Sequence, residues 1–159
     1  MSLQIESLKE KDVEESVKAL QTSMGNQASP FLKDSGALGR AIYGPHAMTL
    51  VAKKNGKIVG VVSGTATLPP NIAFLTVTDP ESAREGLGGK LIDQFVEEAK
   101  RKLPSATSVR TSLPADFTDA VALYSSKGFA VEGFAKTALH GRDIVFLSKS
   151  LARRSTSVA

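Results

Sequence analysis

Val77-Thr78-Asp79-Pro80-Glu81-Ser82-Ala83-Arg84-Glu85-Gly86-Leu87-Gly88-Gly89-Lys90-Leu91 joins the end of an apolar, β-like run to the start of an amphipathic helix through a Gly-rich turn. That order sets free backbone N–H groups at the positive end of a helix, a ready site for phosphate. Glycine suits the position because a side chain would hold an anion away from the amides. Two familiar phosphate loops do not fit. A Walker loop requires Gly at position 84 and Ser or Thr at 91, where Arg84 and Leu91 stand. A dinucleotide fingerprint starting at Gly86 also requires Gly at 91, and it should follow the first strand of a βαβ unit.

Working outward, a hairpin precedes the turn. Met48 to Lys53 and Lys57 to Ala66 are β-rich runs joined by Lys54-Asn55-Gly56, whose Asn-Gly pair suits a type I′ turn. Leu68-Pro69-Pro70 separates them from a third run, Ile72 to Val77. Upstream, Gln4 to Leu8 reads as a strand and Asp12 to Thr22 as a helix with Val13, Val17 and Leu20 on one face. Gly25 to Pro30 breaks that helix, and Phe31 to Tyr43 reads as a second, weakened by Gly36 and Gly39. Downstream, Leu91, Ile92, Phe95, Val96 and Ala99 form a helical stripe that ends near Lys102, ahead of Pro104. Ser108 to Leu113 is a strand, Asp116 to Lys127 a short helix with Gly128 past its end, and Val131 to Leu139 and Asp143 to Ser150 a last pair of strands. The order is β-α-α-β-β-β-α-β-α-β-β, one mixed α/β (α+β) domain.

Composition narrows the function. With 159 residues the chain can bury a core, and 42% apolar with 23% charged residues is ordinary for a globular protein. The absence of cysteine removes disulfides, thiolate metal sites and a cysteine acyl-enzyme, and fits a reducing compartment. His46 and His140 lack metal-ligand spacing, so no metal is expected. Arg153 and Arg154 supply half of the net charge of +4, which is not the clustered basic footprint of a nucleic-acid binder. No apolar run is long enough to span a bilayer and no secretion signal opens the chain, so a cytoplasmic location without membrane attachment is expected. Residues 1–151 are expected to form the domain, and 152–159 a basic, disordered tail.

A second motif follows the Gly-rich turn: Ala120, Leu123, Tyr124, Gly128 and Phe129. Together with Val77, Pro80, Gly86 and Gly88, it resembles the two hallmarks of the GNAT superfamily of acyl-CoA-dependent N-acyltransferases, over about residues 3 to 151. The resemblance implies a mixed, mostly antiparallel sheet of about seven strands flanked by about four helices. It also implies acetyl-CoA as co-substrate, its pyrophosphate held by amides of Arg84, Glu85, Gly86, Leu87, Gly88, Gly89 and Lys90. Its pantetheine arm would lie beside the Phe74 to Val77 strand, against Leu75, Thr76 and Val77, where that strand diverges from Ser108 to Leu113. A backbone N–H of Thr76 or Val77 would polarise the thioester carbonyl, and Tyr124 would protonate the departing thiolate. The plainer reading of Tyr124 is a core aromatic.

Three positions depart from the family pattern. Ala83 occupies the usual Arg or Gln position, with Arg84 one place late; Phe117 replaces a frequent Asn; and Asn71 stands where many members carry a Glu base. Asp79, Asp116 and His140 are the candidate bases, and the alternative is an amine of lowered pKa that arrives already neutral. Each also has a structural reading, as turn residue, helix N-cap and hairpin-turn residue respectively. The function implied is acetyl transfer to a primary amine by direct attack, with a small-molecule acceptor favoured. The alternative is an acyl-CoA-binding sensor or interaction module without turnover. The acceptor region falls in Met24 to Tyr43 and Leu139 to Asp143, with Phe31, Asp34, Tyr43 and Phe134. Dimers are common in the family, and the last strands are the contact implied for a homodimer.

Overall fold

A computed structural model describes residues 3–24, 33–67, 71–139 and 141–151. Seven strands form one sheet: β1 (Leu3–Ser7), β2 (Ala47–Lys54), β3 (Lys57–Thr67), β4 (Asn71–Thr78), β5 (Ser108–Pro114), β6 (Ala130–Leu139) and β7 (Arg142–Ser150). Their spatial order is β1-β2-β3-β4-β5-β7-β6, and every neighbouring pair is antiparallel except β4 with β5. Among the described residues five α-helices accompany them: α1 (Val13–Met24), α2 (Ser35–Ile42), α3 (Pro80–Arg84), α4 (Leu87–Lys102) and α5 (Thr118–Ser126). None among the described residues is long and apolar enough to cross a membrane.

The parallel pair positions the site. β4 and β5 pair only at Asn71↔Ser108, Ile72↔Val109 and Ala73↔Arg110, and then part. Beyond that point each strand keeps its own antiparallel partner, β3 along β4 and β7 along β5. The sheet therefore opens as a wedge without leaving either strand unsupported on its other side.

Helices cover the two faces unequally. On one face α4 buries Leu91, Ile92, Phe95, Val96 and Ala99 against strands β2 to β5. Phe95 is fully buried and stacks on Phe74 at 4.8 Å between ring centres. On the other face, Val17 and Leu20 of α1 with Leu38 and Ile42 of α2 pack on Val51, Ile58 and Val61. Each such side chain contributes roughly 1.5–3 kcal/mol by leaving water.

Local chemistry accounts for the element ends. Asn55 and Gly56 have φ of 56° and 77°, the paired positive values of a type I′ turn. Asp34 caps α2 by accepting from the Ala37 N–H at 3.0 Å, which starts this helix at Ser35. A 3₁₀ turn, Glu10–Asp12, leads into α1. The short helix α3 is an addition to the sequence reading, which left residues 80–84 in the Gly-rich turn. Asp79 caps it through the Ser82 N–H at 2.6 Å, and Pro80 supplies a pre-set first position. Asp116, read as a possible N-cap, caps nothing: Phe117 holds that position in α5, without a side-chain bond, and Asp116 pairs with Arg142 at 2.7 Å. The expected break at 25–30, Phe31, the separator 68–70, His140 and the tail 152–159 lie outside the described residues.

Candidate active site

The wedge between β4 and β5 opens into a cleft of about 540 Å³. Thr76 and Thr78 form one wall, Arg84, Gly86, Gly88, Gly89 and Ile92 the mouth, and Asp119, Ala120, Leu123 and Tyr124 the other wall. Strand alternation decides which β4 side chains enter it. Thr76 and Thr78 face the cleft, while Leu75 and Val77 pack towards α1 on the opposite face. Alternation also sorts the backbone. The Asp79 N–H bonds the Val59 carbonyl of β3 at 3.0 Å, so the amides of Leu75 and Val77 turn towards β3 as well. The amides of Thr76 and Thr78 turn to the open edge. Of the two amides expected to polarise a carbonyl, the geometry places Thr76's in the wedge.

The mouth is a helix N-terminus. Gly86 is the N-cap of α4 at φ 84°, with no side-chain cap on the helix. A Cβ there would meet nothing within 4 Å, so this glycine serves the positive φ and leaves the space above the amides open. Gly88 and Gly89 serve packing instead. A Cβ on Gly88 would stand 3.3 Å from Leu123 Cδ2, and one on Gly89 3.2 Å from Lys127 Cε. Not all the expected amides are free: the Glu85 N–H bonds the Glu81 and Ser82 carbonyls, the Gly86 N–H the Ala83 carbonyl, and the Lys90 N–H the Gly86 carbonyl. Those of Leu87, Gly88 and Gly89 open the helix and have no intrahelical acceptor. The helix dipole adds positive potential at the same point.

The charges around the mouth follow that polarity. Arg84 lies on the cleft, and neither it nor the exposed Lys90 has an ion-pair partner among the described residues. Glu85 is held by Lys54 at 3.2 Å, and Lys127 by Asp93 at 2.7 Å.

At the inner end, Tyr124 is 6% exposed and packs edge-on against Phe129 at 5.2 Å and Phe74 at 6.1 Å. Burial pushes its phenol above the ordinary tyrosine value, while the neighbouring hydroxyls of Thr76 and Thr111 oppose the rise. Thr76 Oγ1 is nonetheless sealed from solvent and makes no well-formed hydrogen bond. Both the packing role and the cleft position of Tyr124 are real: the ring fills the core and the residue reaches the cleft.

Of the candidate bases, Asp79 and Asp116 are engaged elsewhere, and His140 lies outside the described residues. Asp79 is committed to its cap, and the Ser82 N–H holds its carboxyl below the usual range. Asp116 is engaged with Arg142, whose guanidinium also lies 4.8 Å over the Phe117 ring. Asn71 is buried at the closed end of the wedge, its Oδ1 accepting from Ser108 Oγ at 2.5 Å and Thr107 Oγ1 at 3.4 Å. Sequence reading passed over Asp119, the carboxylate among the described residues that line the cleft, and also Thr78 and Ile92. The spacing of Asp119, Ala120, Leu123 and Tyr124 on one helix face was the available signal. No cluster of three acidic or histidine side chains suited to a metal occurs among the described residues.

Comparison with known proteins agrees with this layout. The family model described as the acetyltransferase (GNAT) domain matches residues 45–131. A GNAT-family acetyltransferase from Streptococcus pneumoniae superposes with a TM-score of 0.80 at 23% identity, over 95% of this chain and 100% of its own. The ribosomal-protein-S18-alanine N-acetyltransferase of Escherichia coli gives 0.80 at 18% identity, over 99% of each chain. The yncA protein of Salmonella typhimurium, solved with acetyl-CoA as its cofactor, gives 0.80 at 17% identity, over 100% of this chain and 99% of its own. At these identities the likeness is one of fold. No curated protein matches the chain. Because the matched family model takes in more than half the sequence, including the wedge, the Gly-rich mouth and Tyr124, the chain belongs to the GNAT acetyltransferase family.

Proposed function

We propose that the protein is an N-acetyltransferase that moves acetyl from acetyl-CoA to a primary amine by direct attack, within a single domain of residues 1–151. The observation that carries this reading is the position of Tyr124 at the inner end of a cleft whose mouth is the uncapped start of α4. Acetyl-CoA supplies an activated thioester. The Leu87, Gly88 and Gly89 amides with Arg84 would hold its pyrophosphate, and the Thr76 N–H would polarise the acyl carbonyl. Tyr124 would give its proton to the departing sulfur. The amine nitrogen would bond the acyl carbon as the carbon–sulfur bond breaks, and the proton it sheds would return the Tyr124 phenolate to the phenol.

The acceptor in this reading is a small-molecule amine. The Escherichia coli relative is named for an alanine of a ribosomal protein, so a protein N-terminus is the contrasting acceptor class. A cytoplasmic location belongs to the same reading, resting on the cysteine-free composition.

One observation favours a second reading, an acyl-CoA binder without turnover. Asn71 has its amide oxygen occupied by Ser108, and it cannot take a proton. Thiol release from acetyl-CoA, measured against pooled primary amines, separates the two. Amine-dependent release supports the transferase. Binding of acetyl-CoA without release from any pool, peptides included, supports the binder.

A further inference from the structure

The described residues leave a buried hydroxyl, Thr76 Oγ1, without a partner. Such a group loses its hydration without compensation and calls for a physical reason. Its surroundings offer one. Thr76 lies two residues from Phe74 on the same face of β4, and the Phe74 ring touches the Tyr124 ring. Thr111 lies on the cleft-side face of β5 between the buried Val109 and Leu113. The two strands pair last at Ala73↔Arg110. Thr111 is therefore the first residue past the fork on one arm and Thr76 the third past it on the other. Tyr124 lines the cleft with Thr76 and shares a core cluster with Val109 and Leu113, which flank Thr111, so both threonines turn to the side where Tyr124 packs.

We propose that Thr76 and Thr111 are positioning residues that cradle the Tyr124 phenol from the two arms of the wedge and aim it at the reacting sulfur. This rests on the reading of Tyr124 as the acid. Giving up the proton leaves a phenolate in a largely apolar pocket walled by Phe74 and Phe129, where an unpaired charge is costly. Hydroxyl donors on either side stabilise the charged form as it appears. Thr76 Oγ1, which has no other partner among the described residues, then has the phenol oxygen as its acceptor, weakly at rest and more strongly as charge develops. The step needs no other reactant: the phenol O–H bond breaks, the S–H bond forms, and the threonines keep their own protons.

The chain provides a clean probe, since Tyr43 and Tyr124 are its two tyrosines and it has no tryptophan. With tyrosine labelled by carbon-13 at Cζ, the wild type gives two signals that Tyr43→Phe assigns. The Cζ shift reports the hydrogen bonding of the phenol oxygen at neutral pH, a readout that a purely structural role for the threonines does not move. Thr76→Val and Thr111→Val keep shape and strand propensity; Thr76→Ser restores the hydroxyl, and Thr76→Ala carries the test if valine disturbs packing. We expect the Tyr124 signal to move in each valine variant and return in Thr76→Ser, with Tyr43 unmoved. Turnover should fall about three- to tenfold in each valine variant, the KM for acetyl-CoA holding within about twofold. An unmoved Tyr124 signal in both valine variants overturns the cradle whatever the activity. A signal that moves while no amine supports turnover in the wild type upholds the cradle and overturns Tyr124 as an acid.

Discussion

Ser108 stands opposite Asn71 in the last parallel stretch of the sheet, and its hydroxyl donates to Asn71 Oδ1 at 2.5 Å. Where many relatives of this fold are expected to carry a base, this chain has a clasp. It fastens β4 to β5 at the closed end of the wedge, just before the strands part. Asn71→Ala should cost about 1–3 kcal/mol of stability in urea unfolding, because it removes a buried amide and the hydrogen bond by which it joins β4 to β5. A loss under about 0.5 kcal/mol would show that the clasp is not needed to hold the wedge.

Gly86 and Gly88 should respond differently to alanine. Gly86→Ala imposes a side chain at φ 84° with free space around it, so the cost is backbone strain of about 1–2 kcal/mol. Gly88→Ala presses on Leu123 and should shift α4 against α5. Thermal melts with and without coenzyme A read both effects. Gly86→Ala should lower the melting temperature, and Gly88→Ala should mainly reduce the rise that the ligand confers.

Asp79 makes a pH-dependent contribution. Its carboxyl is held below the ordinary value, first by the Ser82 N–H, so the folded state favours the ionised form. The stabilisation is present above the unfolded value of about 3.9 and fades as pH falls through the lower folded value. Asp79→Ala should therefore cost about 1 kcal/mol near neutrality, and the difference from wild type should shrink in acid. A difference that does not change down to about pH 2 would contradict the assignment.

For Tyr124 the sign is opposite in effect. A phenol raised by burial stays protonated through neutral pH, so its ionisation should not limit turnover below about pH 10. Tyr124→Phe keeps the ring against Phe74 and Phe129 and should leave the melting temperature close to wild type. Turnover should fall about 10²-fold or more, as for loss of a general acid. An equal fall in acetyl-CoA affinity would instead mark the hydroxyl as a binding group.

Much of this arrangement could be read from local sequence. Asn55-Gly56 specifies its own hairpin, Gly86 its own left-handed turn, and the Leu91 to Ala99 stripe its own buried face. Asp79-Pro80 also carried a helix-start signal, but five residues of helix inside a Gly-rich turn give too little periodicity to register. What stayed hidden depends on partners far along the chain. Asp116 has the spacing of a cap, yet Arg142 from the last hairpin takes its carboxylate. The length over which β4 and β5 pair, and so the depth of the cleft, is set by how β3 and β7 hold each strand. Glu85 sits in the Gly-rich turn, and Lys54 from the first hairpin, far away in sequence, pairs with its carboxylate. Asn71 was legible as a missing base but not as a clasp, because Ser108 lies beyond a whole helix.

The most direct test of the account follows the backbone amide resonances of Leu87, Gly88, Gly89 and Thr76 during titration with coenzyme A and acetyl-CoA. If the wedge is the site, both ligands should move the three α4 amides most, and acetyl-CoA should move Thr76 further than coenzyme A does. Changes confined to other parts of the molecule, or none at saturating ligand, would contradict it.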